Sequence, residues 1–456
     1  MIDITRFIGW RDHAQEHALL IAGAQDPDQL RSIDEQGAAL LDQFDGLSVD
    51  LGRQLICDAI KPVCGVERIP LRDALGRVLS EAILSPIDVP AYDNSAMDGY
   101  GFAADDLDPN GDTTLPIAGA AFAGRAFDGA IRPGQAVRIT TGARLPAGVD
   151  SVAMQEVVRV ADGHVTIPPG QRKGQNVRRA GEDLRAGLPA LPAGRLIRPA
   201  ELGLVASLGI GELAVRRRPR VAFFSTGDEI VSIGHTARDS QIYDSNRYTL
   251  FGMLTRLGLD VIDVGVVRDA PDALESALRE AASIADAVIT SGGVSVGEAD
   301  FTREVMARLG EVLFWKIAMK PGRPLAFGRI GTGGEADPRG AWLFGLPGNP
   351  VAAMVAFYQF ARPALLRLAG VAPVAAPPLL RAVCTQAIRK SPGRTEFLRG
   401  VLFHDDGEWK VRTTGAQGSG LLSSMADANC FIVLEPERGS VTAGEAVPVQ
   451  ILDGIV

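Results

Sequence analysis

Residues 286–300 read DAVITSGGVSVGEAD, and this stretch decides how the rest of the chain is interpreted. Residues 287–289 are apolar and β-prone, which favours an interior strand of a parallel sheet, and Ser291, Gly292 and Gly293 then end that strand. In open α/β sheets, ligands bind beyond the carboxyl ends of the strands, and adjacent glycines let backbone N–H groups approach an anion. The stretch therefore predicts a ligand-binding loop at the end of a buried strand.

The far end of this loop carries carboxylates. Ser295 adds a hydroxyl donor, but Glu298 and Asp300 would repel a bare anion. The acids indicate either a divalent cation beside a phosphate or the N-terminal cap of the next helix, FTREVMARLG. Both interpretations stay open from these residues alone, because short motifs have high false-positive rates.

The composition is that of an ordinary globular protein, with 46% hydrophobic and 22% charged residues among 456. A chain of this length predicts roughly three domains of about 150 residues each. It lacks both a secretory N-terminus and an apolar run of about 18 residues, so we expect a cytoplasmic protein without membrane spans. The net charge of −9 argues against a general nucleic-acid binder. The four cysteines form no CxxC pair and are expected to be reduced packing residues.

The N-terminal third of the chain divides by pattern into an extension, a helix and β-rich segments. Residues 1–48 are polar and predict a helical extension, in which His13, Glu16 and His17 spell HxxEH. A surface helix is favoured there over a zinc site because isolated matches are common. Residues 49–68 contain a second helix with apolar residues at helical spacing, which should pack on a domain.

Short strands broken by glycine and proline follow. Residues 89–186 predict a small β-domain that includes the polar segment PAYDNSAMDGYGF. Residues 69–88 and 187–217 are assigned to a β-rich hinge domain, and the stretch 192–215 reads as strand-like. In VRRAGEDL, at 177–184, the paired charges are compatible with a surface salt-bridge cluster or with a phosphate clamp beside a metal ligand.

Residues 218–370 change to a repeated strand, loop and helix rhythm, which predicts a parallel, doubly wound sheet. Within it, Asp244 or Ser245 should cap a helix that runs through Leu257, and Pro271 should lie near the start of the next helix. The successive strand-end loops TGDE, VRD, SGGVSVGEAD, MKPGRP and GLPGNP should converge on one crevice. After a proline-rich linker, residues 375–456 predict a small β-domain with a hairpin turn at Asp406–Gly407.

Seven motifs in this order resemble the MoeA family of molybdopterin molybdenumtransferases, whose module also forms the E domain of gephyrin. They are PAYDNSAMDGYGF, RRAGEDL, FFSTGDE, ITSGGVSVGEADF, KPGRP, GLPGNP and TTGAQGSG. The resemblance covers the chain from about residue 50 to the C-terminus. It implies an α/β multidomain homodimer with a doubly wound, MogA-like α/β domain, a β-rich hinge domain, a small β-domain and a C-terminal β-barrel.

The family reaction, as the resemblance implies it, inserts molybdate into adenylylated molybdopterin and releases AMP with the help of Mg²⁺. The implied catalytic acids are Asp98, Asp183, Glu229, Asp269 and Asp300, and the implied metal ligands are Asp269, Asp300 and Glu298. Carboxylates suit Mg²⁺, which would neutralise phosphate charge in the departing AMP.

Molybdate is a compact dianion and wants cationic side chains together with hydroxyl or backbone donors. The implied cofactor-binding positions are Thr141, Arg178, Ser291, Gly292, Gly293, Ser295, Lys316, Lys320, Pro321, Pro347, Pro350, Arg399 and Ser419. Of these, Pro347 and Pro350 are expected to shape a rigid loop, because proline lacks an N–H donor.

Two other functions compete with the insertase. One is the MogA-type adenylylation of molybdopterin, which the MDGY segment and the C-terminal barrel disfavour. The other is a catalytically silent scaffold of the gephyrin type, which the complete set of acids disfavours. The resemblance also implies transient contacts with a MogA-type adenylyltransferase and with apo-molybdoenzymes, and no nucleic-acid or membrane partner is expected.

Overall fold

The computed structural model describes residues 46–293, 300–331 and 340–452. The predicted N-terminal extension up to residue 45, with its HxxEH motif, therefore lies outside the described residues, as do Ser295 and Glu298. The chain divides into two compact units. The first holds the described residues up to Glu67, residues 76–78 and those from Val215 onward, and the second holds residues 68–75 and 79–214.

The second unit is rich in short strands, as its glycine and proline content predicts. The first twelve strands of the chain are β1 (Val66–Pro70), β2 (Ile83–Leu84), β3 (Asn94–Ser95), β4 (Gly99–Phe102), β5 (Thr113–Ala121), β6 (Ala136–Ile139), β7 (Ser151–Met154), β8 (Arg159–Ala161), β9 (His164–Ile167), β10 (Val177–Arg178), β11 (Pro189–Leu191) and β12 (Glu212–Arg216). Six of them form one sheet in the order β7-β4-β6-β5-β9-β8. The pairs β3–β10 and β2–β11 are separate antiparallel ladders.

One prediction for this region is wrong. The strand-like stretch 192–215 contains a helix, Pro199–Ser207, between β11 and β12. Pro199 is its first residue, where a missing N–H costs nothing, and the Glu201 side chain accepts hydrogen bonds that cap its N-terminus. These local start signals outweigh the alternation of apolar residues around them.

The first unit begins with helix α1 (Val49–Ala59), and the helix just described is α2. The remaining helices are α3 (Ser245–Arg256), α4 (Pro271–Ile284), α5 (Asp300–Leu309), α6 (Pro350–Ala356), a π-helical turn (Phe357–Ala361), α7 (Arg362–Leu368) and the short α8 (Ser423–Ala426). Short 3₁₀ turns at Leu71–Ala74 and Ala104–Asp106 belong to the second unit. Within the described ranges, no helix is both long enough and apolar enough to cross a membrane.

A doubly wound sheet forms the centre of the first unit. Its strands are β13 (Arg220–Thr226), β16 (Asp260–Val267), β17 (Ala287–Ser291), β18 (Gly310–Lys316), β20 (Pro324–Ile330) and β21 (Ala341–Leu346), and the order is β16-β13-β17-β21-β20-β18. Val221 and Phe223 face one hydrophobic core, while Ala222 and Phe224 face the other. This alternation is what a strand covered by helices on both faces requires.

The sheet is mixed rather than wholly parallel. β16, β13, β17, β21 and β18 all run in one direction, but β20, which lies between β21 and β18, is antiparallel to both. β18 and β20 are joined through the KPGRP segment, which turns the chain back on itself, whereas a parallel pair needs a long crossover. The short β14 (Ile230–Val231) and β15 (Ile242–Tyr243) pair outside this sheet.

The C-terminal part of the first unit is a closed barrel. Its strands are β22 (Leu379–Cys384), β23 (Thr395–Asp405), β24 (Glu408–Thr413), β25 (Cys430–Leu434) and β26 (Ala446–Ile451), and β23 pairs with both β24 and β25 to close the ring. The hairpin predicted at Asp406–Gly407 is confirmed, since both residues have positive φ between β23 and β24. The two-residue β19 (Met319–Lys320) extends β23 in parallel.

All four cysteines are free thiols. Cys384 and Cys430 are buried and act as packing residues, and burial raises the pKa of Cys430 to about 12. Cys64 is exposed, so its assignment as a packing residue is wrong.

Candidate active site

The carboxyl ends of β13 and β16 bring two acidic loops together. The Thr226 hydroxyl lies 3.5 Å from the Asp269 carboxylate, and the Asp269 amide donates to Asp228 at 3.4 Å. Asp228 and Glu229 are exposed, and the Glu229 carboxylate folds back over Gly227. The structure thus places Glu229 and Asp269, two of the expected acids, on adjoining loops at one edge of the sheet.

The SGG turn at the end of β17 packs tightly against its neighbours. Gly292 has φ +97°, and a Cβ added there would lie 2.4 Å from the Thr226 carbonyl oxygen. Its amide donates to the Leu346 carbonyl at 3.1 Å, which ties the turn to the end of β21. Gly348 approaches from the other side, since its added Cβ would lie 3.6 Å from the Gly292 Cα. Only glycine gives this backbone both the left-handed conformation and the space that it needs.

Ser291 occupies a different environment from the one expected of a ligand donor. It is 1% exposed, and its hydroxyl lies 3.3 Å from the Pro347 carbonyl oxygen. It also accepts a hydrogen bond of 2.7 Å from the Asn246 side chain, which donates a second one of 2.7 Å to the Gly348 carbonyl. The Ser291 hydroxyl is therefore committed to internal contacts between loops.

Asn246 is the residue of this site that sequence reasoning missed. It lies in the first turn of α3, where Asp244 was expected to act only as a cap and does so by accepting from the Arg247 amide. The sequence offered one cue, a second polar side chain in the first turn of a helix. In the fold this Asn246 side chain is only 7% exposed.

The end of β18 and the KPGRP segment each place one lysine near the same end of the sheet. Lys316 ends β18 and is exposed, and the Lys320 ammonium lies 3.5 Å from Glu396 of the barrel. The chain entering α1 runs beside this segment, because the Leu47 amide donates to the Lys316 carbonyl at 2.8 Å and the Leu47 carbonyl accepts from Ala318 at 2.7 Å. Pro321 follows Lys320 directly and is partly buried.

Arg399 organises the loop that carries Ser419. It is fully buried, and its guanidinium donates to the Ser424 hydroxyl at 2.9 Å and to the carbonyl oxygens of residues 416, 417 and 418. Burial lowers the pKa of this guanidinium. The Ser419 carbonyl accepts from the Val351 amide at 3.1 Å, so the loop is held against the start of α6 just after Pro350. Arg399 is thus a loop-shaping residue in this structure, and direct anion binding by it stays a prediction.

The second unit holds its own polar cluster. The Asp98 carboxylate accepts from the Thr141 amide at 2.6 Å and from the Thr141 hydroxyl at 2.8 Å, and the backbone bond is the main reason that the pKa of Asp98 is lowered. Arg178 is exposed and lies in β10 opposite Asn94. Asp183 is also exposed, and its backbone amide donates to the Val89 carbonyl.

The neighbouring Arg179 is engaged in the salt-bridge cluster that the charge pattern allowed. It bonds to Asp93 at 2.6 Å, while its amide donates to Glu182 at 2.8 Å. Asp93 also accepts from the Ala180 amide, the largest of the causes that lower the pKa of Asp93. Arg178, rather than Arg179, therefore remains the candidate for substrate.

The described residues contain no group of three or more His, Cys, Asp or Glu side chains arranged to hold a metal ion. Asp300 is the first residue of α5, and Glu298 lies outside the described residues. Mg²⁺ is commonly held by one or two carboxylates together with substrate phosphates. Asp269 and Glu229, on adjoining loops, fit that mode.

Three family models match consecutive parts of the chain. They describe the MoeA N-terminal region (domains I and II) over residues 47–209, a probable molybdopterin binding domain over 222–367, and the MoeA C-terminal region (domain IV) over 381–452. A protein of Haemophilus influenzae named molybdopterin molybdenumtransferase is 44% identical over 89% of this chain and 98% of its own length. The chain belongs to the MoeA family.

Further similarities extend this membership. A molybdopterin molybdenumtransferase of a Nostoc species is 35% identical over 84% of the chain and 87% of its own length. The crystal structure of a MoeA protein from Pyrococcus horikoshii superposes with a TM-score of 0.74 at 26% identity, and covers 89% of this chain and 99% of that one. The resemblance drawn from seven motifs and the α/β multidomain fold class are thereby confirmed, and residues 1–46 precede the MoeA match.

Proposed function

We propose that this MoeA protein is a molybdopterin molybdenumtransferase that inserts molybdate into adenylylated molybdopterin and releases AMP. The observation that carries the proposal is the convergence of the glycine turn at Gly292, the acids Glu229 and Asp269, and the loop of Gly348 at the carboxyl ends of parallel strands. This edge of an α/β sheet is where ligands bind. The curated relatives bear the same activity in their names.

The chemistry of each substrate matches a different part of the site. Gly348, exposed beside the glycine turn at 292–293, lets backbone approach a phosphate without Cβ interference, which suits the adenylyl group. Lys316 and Lys320 are exposed cations that suit the molybdate dianion. Two anionic substrates thus have separate sets of donors.

Loss of AMP leaves negative charge on the departing phosphate. When bound, Mg²⁺ would supply neutralisation of that charge, and Asp269 and Glu229 are the described residues that would hold it, with Asp300 as a further candidate. Asp269, half-buried beside Thr226, is also placed to orient a water molecule.

The proposal includes a homodimer in which Asp98, Thr141, Arg178 and Asp183 of one protomer complete the site of the other. Support comes from five large apolar side chains that are 46–60% exposed within one short region of the first unit: Ile233, Ile242, Tyr243, Tyr248 and Phe251. Tyr248 and Phe251 lie three residues apart on α3 and share a face. Exposed apolar groups on this scale are typical of interaction surfaces.

The proposal also keeps the domain boundaries and the cytoplasmic location expected from sequence, and transient contacts with a MogA-type adenylyltransferase and apo-molybdoenzymes. Such contacts would pass the adenylylated substrate and the finished cofactor between proteins without release.

The test is to incubate the purified protein with adenylylated molybdopterin, molybdate and Mg²⁺, and to measure AMP and the reconstitution of an apo-molybdoenzyme. We expect AMP release that depends on both molybdate and Mg²⁺, together with reconstituted activity. Formation of adenylylated molybdopterin from molybdopterin and ATP would instead indicate the MogA-type reaction. Absence of both reactions in the folded protein would refute the proposal.

A further inference from the structure

The side-chain amide of Asn246 joins the SGG and GLPGNP loops. One N–H of the Asn246 Nδ2 donates to Ser291 Oγ, and the other donates to the Gly348 carbonyl oxygen. Both distances are 2.7 Å. A carbonyl oxygen can only accept, so the atom facing Gly348 has to be the amide nitrogen. The Ser291 hydroxyl accepts the first of these hydrogen bonds and can itself donate one to the Pro347 carbonyl oxygen, 3.3 Å away.

The two loops are the walls of the proposed adenylyl-binding site. Gly292, next to Ser291, lies beside Gly348, and the SGG turn is in a left-handed backbone conformation that favours glycine. Since glycine-rich turns have many accessible conformations, a buried side chain that bonds to both is an efficient way to fix their separation. Asn246 is 7% exposed, so its amide bonds are shielded from competition by water.

We infer that Asn246 is a positioning residue, which holds the SGG and GLPGNP loops at the spacing that binds the adenylyl phosphate of the substrate. The inference rests on the proposed function and adds to it a residue outside the family motifs quoted above. Asn246 acts through the backbone of the two loops and does not itself touch substrate. It should therefore affect the binding of adenylylated molybdopterin and leave the binding of molybdate at the lysines unchanged.

Three variants separate this role from general stability. Asn246→Ala removes both bonds, whereas Asn246→Asp cannot donate either of them: it can accept a reversed bond from the Ser291 hydroxyl, but it repels the Gly348 carbonyl. Ser291→Ala removes one bond from the opposite side and tests the same contact if the Asn246 variants fold poorly. The matched control is Thr290→Val, because the Thr290 hydroxyl is on the same strand, is buried and has no hydrogen-bond partner among the described residues.

The measurement is AMP release, from which two KM values are obtained, one for adenylylated molybdopterin and one for molybdate. A buried hydrogen bond contributes roughly 1–3 kcal/mol when its partner is left unpaired, so the KM for adenylylated molybdopterin should rise about tenfold in Asn246→Asp and Ser291→Ala, and more in Asn246→Ala. The KM for molybdate should stay within about twofold, and Thr290→Val should match the wild type.

Two results would overturn the inference while the proposed function stands. One is a wild-type KM for adenylylated molybdopterin in all three variants, and the other is an equal rise in both KM values. If the wild-type protein itself released no AMP, the proposed function would fail instead. Equilibrium dialysis with adenylylated molybdopterin would then decide the inference, since weaker binding by the Asn246 variants than by Thr290→Val is still required.

Discussion

Backbone pairing of β19 holds Lys320 where its exposed ammonium group can bind an anion. β19 pairs with β23, so the Lys320 ammonium lies 3.5 Å from a carboxylate whose side chain is only 9% exposed, that of Glu396. The lysine side chain itself is 60% exposed. A charge-assisted contact to molybdate contributes about 1.5–3 kcal/mol, so Lys320→Ala should weaken molybdate binding roughly tenfold to a hundredfold.

Equilibrium dialysis with molybdate measures this effect, and Lys410→Ala is the matched control. Lys410 is paired with Asp405 on the barrel hairpin, and its removal changes the net charge by the same amount. Normal molybdate binding by Lys320→Ala would show that the lysine serves the fold alone.

Glu201 links α2 to two arginines and gives the second unit an acid-sensitive contact. Its carboxylate accepts from Arg198 and Arg195, and these bonds, with that of Arg198 the largest, lower the pKa of Glu201 to about 2. A carboxyl group whose pKa is depressed in the folded state stabilises that state fully above the pKa of the unfolded chain, about 4.3, and loses this effect as the pH falls toward 2.

Glu201→Gln should therefore lower the stability of the second unit at pH 7 by about 1–2 kcal/mol, since both arginines are partly exposed to solvent. Urea unfolding at pH 7 and pH 3 is the measurement. The deficit of the variant should be smaller at pH 3. Glu212→Gln, an exposed substitution with the same charge change, should show no deficit at either pH. A Glu201→Gln deficit that is independent of pH would contradict the assignment.

Individual side chains were the hardest features to predict from sequence. Glu229 and Asp269 could be placed together because both follow strands of a recognisable sheet. Asn246 could not, since its partners Ser291 and Gly348 lie 45 and 102 residues away and nothing local distinguishes it from a cap residue. Arg399 was assigned by charge to an anion, yet its surroundings are carbonyl oxygens, which composition does not reveal.

Among the secondary-structure elements, the turn after β17 carries the most demanding backbone. Gly292→Ala would place a methyl group 2.4 Å from the Thr226 carbonyl and also strain a positive φ. Gly258→Ala is a control for strain alone, because Gly258 has φ +70° and its added Cβ would meet nothing within 4 Å. The strain costs about 1–2 kcal/mol in either variant.

We expect Gly292→Ala to lose clearly more thermal stability than Gly258→Ala and to release AMP at least tenfold more slowly, because the β13 and β17 ends must separate. Thermal melts and single-turnover assays on both variants would measure this. Equal losses in the two variants would mean that the turn tolerates the methyl group.

Elements with strong local signals were predicted well. α3 begins at Ser245 with Asp244 as its cap, and α4 begins at Pro271, both as expected. The failures were β20, whose reversed direction depends on the conformation of the short segment that follows β18, and α2, whose apolar residues suit strand and helix alike. Chain direction and tertiary burial, which no short window contains, decided these cases.

For the whole protein, the proposed dimer makes a prediction about mixed chains. If Asp98 of one protomer serves the same site as Asp269 of the other, a heterodimer of Asp98→Ala and Asp269→Ala chains contains one intact site. Random association of equal amounts should then restore about a quarter of wild-type activity, since half of the dimers are mixed and half of their sites are intact. Each variant alone should be nearly inactive. Confirmed heterodimers without recovery would exclude the shared site.

The N-terminal extension makes a second prediction at this level. Leu47 bonds to the Lys316–Ala318 backbone, and Ser48 caps α1 by accepting from Leu51 at 3.2 Å. Deletion of residues 1–45 should therefore leave AMP release intact. Deletion of residues 1–48 removes both contacts and should cost about 1 kcal/mol or more, which thermal unfolding would detect. Loss of turnover in the folded shorter deletion would assign the extension a part in the reaction.

The division of the chain into two units determines where one unit could be removed or replaced. Apart from residues 76–78, the second unit occupies a single excursion that leaves the first unit at Glu67 and returns at Val215. Exit and return are side by side, because the Arg217 amide donates to the Gly65 carbonyl at 2.9 Å. A few linking residues could join these ends without stretching either strand. The second unit is thus inserted into the sequence of the first at one junction, where a different module could be grafted in its place.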